Sequence, residues 1–222
     1  MLLCIANVLT PDELNLIVSK LATAEFVDGK ITAGWHARLV KHNTQMDASA
    51  PVGSEVKNLV MSALQRNALF QIAVRPKLIR PPLFSRYQVG MSYGSHVDNA
   101  LMGDPLMRSD VSLTLFLSPS DTYAGGELVL ETPQGEEEIK LDAGAMVVYP
   151  SSTLHRVEPV TRGTRLVAVT WIQSLVRDAH EREILFDLDT ARQAIFDKYG
   201  KTPEFDLISK SHANLLRKWV DL

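Results

Sequence analysis

The chain has a single cysteine, Cys4, so it can form no intrachain disulfide and no metal site built on several thiolates. It has no apolar run near the roughly 20 residues needed to cross a bilayer. Its N-terminus, MLLCIANVLTPDELN, has no positively charged start and meets Asp12 early, which argues against a secretory leader. It has no excess of one charge either. The 23 Lys and Arg against 26 Asp and Glu leave a net charge of −3, which offers nothing to nucleic acid or an anionic membrane. Internal repeats and low-complexity stretches are missing too. These absences lead to the expectation of a cytoplasmic protein with neither a membrane nor a nucleic-acid partner. Its 222 residues, 45% of them hydrophobic, suffice for one large domain or one domain with an appendage.

What is present falls into three parts. Thr10-Pro11-Asp12-Glu13 reads as a capped helix start, and Leu14, Ile17, Val18 and Leu21 follow at helical spacing. A second helix is predicted over 54–69, with Val56, Leu59, Val60, Ala63 and Leu64 as its stripe. Between them, 28–50 reads as a hairpin around Trp35 followed by a mobile loop. From residue 78 the period becomes strand-like, with segments at 78–90, 111–117, 125–132, 137–141, 145–150 and 164–173. Glycines and prolines punctuate them, and several short strands with turn signals argue for an antiparallel sandwich or barrel. After Gln173 three helical pieces are expected, about 175–187, 190–199 and 203–220. Thr190 and Gln193 would cap the second, and Thr202-Pro203 open the third. The division expected is 1–174 for the barrel with its N-terminal helices and 175–222 for a helical extension that covers it.

The chemistry-bearing residues lie in the strand region. In "YGSHVDNA", His96 and Asp98 are two positions apart, so on a strand they aim at one point. Two ligands make no metal site, and His155 in "YPSSTLHRVEPV" is the candidate third. Arg165 opens "RLVAVTWI" and shares a face with Val167, Val169 and Trp171. If that face is interior, a guanidinium is buried among apolar residues and needs an anion. No acid shares its face, so the anion can come from outside the protein. Two histidines and one carboxylate on one side of a metal leave the other positions open, the arrangement suited to non-haem iron(II) and oxygen.

With these residues the chain resembles the iron/2-oxoglutarate dioxygenases of the prolyl 4-hydroxylase type. "RYQVGMSYGSHVD" is similar to the segment that carries their first histidine, and "GAMVVYPSSTLHRVEPVTRGTR" to that carrying the second. The whole pattern, to the ending "SHANLLRKWVDL", resembles the bacterial PKHD-type hydroxylases. The resemblance implies a mainly β fold with flanking helices, a double-stranded β-helix (jelly-roll) barrel. It implies Fe(2+) on His96, Asp98 and His155, 2-oxoglutarate held by Arg165, and L-ascorbate as the reductant. It implies O2 and a small-molecule or peptide substrate as partners. Hydroxylation of that substrate would accompany conversion of 2-oxoglutarate and O2 to succinate and CO2. Tyr93 matches a tyrosine that bonds the oxo acid in some relatives, and Tyr87 is the competing choice. Relatives often carry Lys where this chain has Arg165, and Arg makes the carboxylate contact bidentate.

Each residue also has a plainer reading. A lone H-x-D is weak evidence, a histidine after a turn is commonly a surface residue, and an arginine at a strand start commonly forms a rim salt bridge. Strand tyrosines usually pack. Trp171 reads as core, and His36, His42, His180 and His212 as structural or exposed. Gly125-Gly126 reads as a turn or bulge. The stretch 99–110, with Leu101, Met102, Leu106 and Met107, is either a packed connection or a lid over the reactive centre. Two other functions stay open at this point. A zinc hydrolase would use the same three ligands but lacks an evident general base and leaves Arg165 unexplained. A non-catalytic barrel could sense a metal or a 2-oxo acid. Oligomeric state is open, a homo-oligomer included.

Overall fold

Val111–Phe116 is buried at every position, and the computed structural model, which describes residues 1–222, shows the cause. The strand lies inside an eight-stranded antiparallel sheet that is covered on both faces. In order, that sheet holds Leu3–Ile5, Met146–Pro150, Val111–Phe116, Arg165–Ser174, Leu83–Tyr87, Thr44–Met46 and Phe26–Asp28, with Pro76–Ile79 also paired to Arg165–Ser174. One face carries helices α1 (Pro11–Thr23), α2 (Gly53–Arg66) and α3 (Ala68–Val74). There Ile17, Leu21, Val60 and Phe70 pack on Leu113, Leu115, Val148 and Ile172. The other face meets a five-stranded sheet of Gly135–Ile139, Leu128–Thr132, His155–Val157, Ser92–His96 and Lys41–His42. Phe116, Val147 and Val167 close on Leu128, Leu130 and Val157 between the sheets. The two sheets make the expected jelly-roll barrel, and the helices give it a second core on the outside.

The start of α1 is built as its sequence implies. The Glu13 backbone N–H donates to Thr10 Oγ1 (3.2 Å), and the Thr10 N–H donates to Glu13 Oε2 (2.9 Å). Other expectations need correction. The periodic stretch 54–69 is not one helix: Asn67 leaves helical geometry, and its side chain caps α3 by accepting from the Phe70 N–H at 2.9 Å. The predicted strand 78–90 is broken by Arg80-Pro81-Pro82 into Pro76–Ile79 and Leu83–Tyr87, because prolines offer no N–H to a ladder. The hairpin expected around Trp35 is present only at its base, where Phe26–Asp28 pairs antiparallel with Thr44–Met46, and the ladder does not extend toward Trp35. Two 3-10 turns, Gly29–Thr32 and Ala37–Leu39, lead instead into an extended run, Lys41–Met46, that passes from the small sheet into the large one.

The tail also differs from its expectation. A single helix, α4 (Ala179–Tyr199), replaces the two pieces 175–187 and 190–199, and α5 (Pro203–Trp219) follows. Thr190 caps nothing: its hydroxyl donates to Phe186 O one turn back (2.9 Å), and Gln193 reaches Asp189 (3.1 Å). The same residue types serve a helix interior when the apolar stripe runs on past them. The tail is tied to the body by Leu185, fully buried, by the Leu175 N–H donating to Arg75 O (2.8 Å), by Arg182 donating to Asp110 O (3.5 Å) and by an ion pair of Asp221 with Arg108 (3.1 Å). His212 of α5 lies 2.9 Å from the Arg75 guanidinium. Much of the apolar stripe expected to cover the barrel stays within the helix pair, where Phe196 meets Phe205 at 5.1 Å and remains half exposed. No helix is long and apolar enough to cross a membrane.

Leu185→Ala should destabilise the whole protein by about 2–5 kcal/mol, the usual cost of emptying a buried leucine site. Removing 175–222 should give insoluble protein or one that melts well below the full chain. A soluble truncation with an unchanged melting temperature would show that the tail contributes nothing to the barrel.

Candidate metal centre and the cavity around it

His155 and His96 face each other across two antiparallel strands, as a directly opposed pair in the register of the small sheet. Their rings lie 4.3 Å apart, centroid to centroid. Ser92–His96 ends at His96, and Asp98 follows two residues later, with an oxygen 3.9 Å from His155 Nε2. One ligand atom from each of the three side chains falls within 4.8 Å of the others. Sequence spacing therefore brings these three together as expected.

The imidazoles are prepared for a metal. His96 Nδ1 is 2.8 Å from Gly94 O, and His155 Nδ1 is 2.9 Å from Thr153 O. A carbonyl only accepts, so each Nδ1 carries the proton and each Nε2 lone pair is left for a cation. Burial, reinforced by the adjacent His155 ring, holds His96 down to about 4, so it stays neutral at physiological pH. The Ser112 hydroxyl donates to Asp98 Oδ2 (2.6 Å) and is itself 2.8 Å from Ser151 Oγ. That bond orients the carboxylate and leaves lone pairs for a metal.

These groups open onto a cavity of about 390 Å³ between the two sheets, and Arg165 lines it as well. Arg165 is 1% exposed, its Nε has no hydrogen-bond partner, and it enters no ion pair. The Tyr87 and Phe116 rings stand 5.1 and 5.5 Å from its guanidinium carbon. Gly126 makes room for it. A Cβ there would come within 3.0 Å of Arg165 Cδ, and its φ of +70° already favours glycine. Gly125-Gly126 thus has the geometric role expected and also clears the space for Arg165.

The tyrosines divide the cavity between them. Tyr87 is the register partner of Arg165, and burial pushes its hydroxyl up, so it stays a neutral donor. Tyr93 stacks on His96 with centroids 3.6 Å apart. Trp171 is corrected: it lines the cavity and is only partly buried, because its side of the strand faces open space and not the core. In 99–110, Leu101–Met102 and Met107–Arg108 form a short hairpin, and Leu101 and Met102 sit at the cavity mouth. Leu106 is exposed, whereas Met107 is buried.

Sequence reading missed a polar wall. Lys41, Asn43 and Gln45 alternate with exposed or half-buried neighbours, and all three are buried and face the cavity. Burial pushes Lys41 down to about 8, against the pull of Asp98 and Asp28. Ser112 and Thr114 were passed over for a related reason. Their apolar neighbours Val111, Leu113 and Leu115 form the core under the helices, so the polar side of this strand is the one that meets the cavity. Alternation of that kind in "VSLTLFL" and "KHNTQ" was the available signal.

Residues 82–173 match the 2OG-Fe(II) oxygenase superfamily, and residues 178–221 match the PKHD-type hydroxylase C-terminal domain. The chain is 63% identical to a PKHD-type hydroxylase of Gloeothece citriformis and 61% identical to one of Acaryochloris marina, each over the full length of both chains. The chain belongs to the PKHD-type hydroxylases. Among solved structures, its fold is similar to that of a Pseudomonas putida prolyl-4-hydroxylase (TM-score 0.52, 21% identity, 78% of this chain and 92% of that one). It is also similar to a Trichoplax adhaerens prolyl hydroxylase in complex with a hypoxia inducible factor peptide fragment (TM-score 0.57, 16% identity, 82% and 86%). This membership makes the protein a hydroxylase dependent on Fe(II) and 2-oxoglutarate, and it sets aside the zinc-hydrolase and sensor readings. The residues present suit both groups: two imidazoles and a carboxylate for the metal, and an unneutralised buried guanidinium for a carboxylate of the oxo acid.

Metal analysis of anaerobically reconstituted protein should find one ferrous ion per chain, lost in His96→Ala and in His155→Ala. Equal iron in the wild type and both variants would remove these histidines from the site. Asp98→Ala should keep more iron than either but lose turnover, since two imidazoles remain while the negative charge beside the metal is gone.

Proposed function

We propose that the protein hydroxylates an unactivated C–H bond of a small-molecule or peptide substrate, with iron held by His96, Asp98 and His155 and 2-oxoglutarate anchored by Arg165. Ferrous iron and 2-oxoglutarate supply the oxidation when bound: 2-oxoglutarate and O2 become succinate and CO2, and the second oxygen atom enters the substrate's C–H bond. The observation that carries the residue assignment is Arg165, buried to 1% on the cavity wall with no acid to neutralise it. A guanidinium so placed costs several kcal/mol unless an anion joins it. Its planar fork suits a carboxylate held at two points.

Tyr87, beside Arg165, donates to the same far carboxylate, and Tyr93, stacked on His96, borders the metal end of the oxo acid. Ser112 keeps the Asp98 carboxylate turned toward the metal. The hairpin of 101–108 narrows the mouth and limits water around the reacting carbon. Residues 1–174 form the dioxygenase unit and 175–222 an appended helical unit. Iron must be ferrous for each cycle, and L-ascorbate, a small diffusible reductant, serves that need. The single exposed thiol, Cys4, and the ordinary net charge support a cytoplasmic setting.

The decisive measurement is a titration of 2-oxoglutarate into the anaerobic ferrous protein, read by calorimetry. Truncating one partner of a buried charge pair costs about 2–5 kcal/mol. Arg165→Met should therefore weaken binding by at least about thirtyfold, with iron content unchanged. Arg165→Lys should recover only part of the loss, because it keeps the charge but not the fork. Binding by Arg165→Met within about threefold of wild type would make Arg165 a structural residue.

A further inference from the structure

The cavity holds a second buried cation that the reading above does not use. Lys41 is 5% exposed and lines the cavity. Its ammonium has one hydrogen-bond partner, Thr32 Oγ1 at 3.1 Å, and it enters no ion pair. The Thr32 hydroxyl donates to Gln45 Oε1, and Gln45 Nε2 donates to Ser85 Oγ at 3.1 Å. This chain of donors fixes the ammonium in place, but no link in it carries negative charge. A lysine has three N–H bonds, so two remain without an acceptor. Beside it the Asn43 amide is buried with no well-formed hydrogen bond, the Tyr87 side chain being its polar neighbour. Donors and acceptors buried without partners are rare, and in a cavity they mark what a ligand would meet.

Counting charge identifies that ligand. On the reading proposed above, a divalent ion, Asp98, Arg165 and the two carboxylates of 2-oxoglutarate sum to zero. Asp98 makes no hydrogen bond or ion pair with Lys41: one oxygen accepts from Ser112, and on the same reading the carboxylate serves the metal. Arg80 stands at the mouth, half exposed, where water can solvate it. Asp28 acts on Lys41 from outside the cavity, where it accepts from the Lys30 N–H, and makes no contact with the ammonium. Lys41 therefore keeps two unmet donors on the cavity wall, and burial of that kind calls for an anion. The anion must be small and must sit near the reaction. The Tyr93 ring lies 5.1 Å from the Lys41 ammonium and is stacked on His96, so cation and metal ligand share one aromatic neighbour.

We propose that the primary substrate is an amino-acid-sized carboxylic acid whose carboxylate is received by Lys41, with the Asn43 amide beside it, and whose hydroxylated carbon lies a few bonds away. This inference rests on the co-substrate assignment to Arg165. The three side chains of this wall come from a strand outside both family-matched segments, 82–173 and 178–221. It is a place where substrate preference can change while the oxidative machinery stays fixed.

The test uses full-length ferrous protein, free of O2 and saturated with 2-oxoglutarate. The twenty L-amino acids and their carboxamides are titrated by calorimetry, with Trp171 fluorescence as a second signal. At least one acid should bind, and its carboxamide should bind at least about tenfold more weakly, since the amide lacks the charge that Lys41 meets. Lys41→Met should abolish that preference, with 2-oxoglutarate affinity within about threefold of wild type, and Lys41→Arg should restore most of it. A tripeptide ending in the preferred residue forms a further arm, and weaker binding than the free acid is expected. Four results would overturn the proposal: no acid binds, acids and carboxamides bind alike, Lys41→Met keeps the preference, or the tripeptide binds better than the acid. A loss of 2-oxoglutarate affinity in Lys41→Met as large as that in Arg165→Met would assign Lys41 to the co-substrate and overturn it too. The preliminary titration of 2-oxoglutarate separates the two levels. If wild type fails to bind it, the co-substrate reading falls and takes this one with it. If it binds normally and no acid preference exists, only the carboxylate subsite falls.

Discussion

An uncompensated guanidinium inside a β-barrel sets the terms for the rest of this structure. Burying Arg165 without an acid costs several kcal/mol in the ligand-free protein, and something else must hold the barrel closed. That something is on the other side of the large sheet. Helices α1–α3 cover it with a core in which Ile17, Val56, Val60, Ala63, Leu64 and Phe70 are fully buried. Because this outer core carries stability, the inner face can be given to Ser112, Thr114, Tyr149, Arg165 and the cavity they border.

This arrangement explains what could be read from the sequence and what could not. The barrel strands from 111 to 173 were legible because turns and alternation agree there, and Arg165 was legible because a charged residue broke an apolar face. The ligand set was legible through its spacing and through the resemblance that spacing carries. The Lys41–Met46 strand was not. Its inward residues are polar, so it looks like loop, and only its passage between the sheets makes it a wall. Trp171 was misread for the converse reason: an aromatic on an inward face reads as core until a cavity is known to lie in front of it. In the tail, Thr190 and Gln193 mimicked a helix start inside a helix, because the residues that cap are also tolerated one turn from a free carbonyl.

The metal centre depends on register more than on proximity in sequence. His96 and His155 are 59 positions apart and become partners only because Ser92–His96 and His155–Val157 pair antiparallel with those two residues opposed. A slip of either strand by one residue would turn its imidazole to the other face and away from its partner. The carbonyls of Gly94 and Thr153 then fix each ring from two residues upstream, so backbone and not side chain sets the tautomer. Asp98 alone relies on another sheet, through Ser112 of the large one. The centre is thus pinned at the place where the two sheets are held against each other, and opening the barrel would separate the carboxylate from the imidazoles.

The same logic gives Lys41–Met46 its position. Lys41 pairs with Tyr93 in the small sheet, and Gln45 pairs with Ser85 in the large one. One extended segment therefore touches the strand that carries His96 of the candidate metal centre and the strand that ends in Tyr87, beside Arg165. Any group held by Lys41 or Asn43 is referenced to the metal end and to the co-substrate end at once. A loop could supply the same side chains, but it would not hold them in register with both sheets. With the carboxylate subsite proposed for Lys41 and Asn43, a strand hydrogen-bonded to both sheets would let substrate choice vary without moving the candidate metal ligands or Arg165.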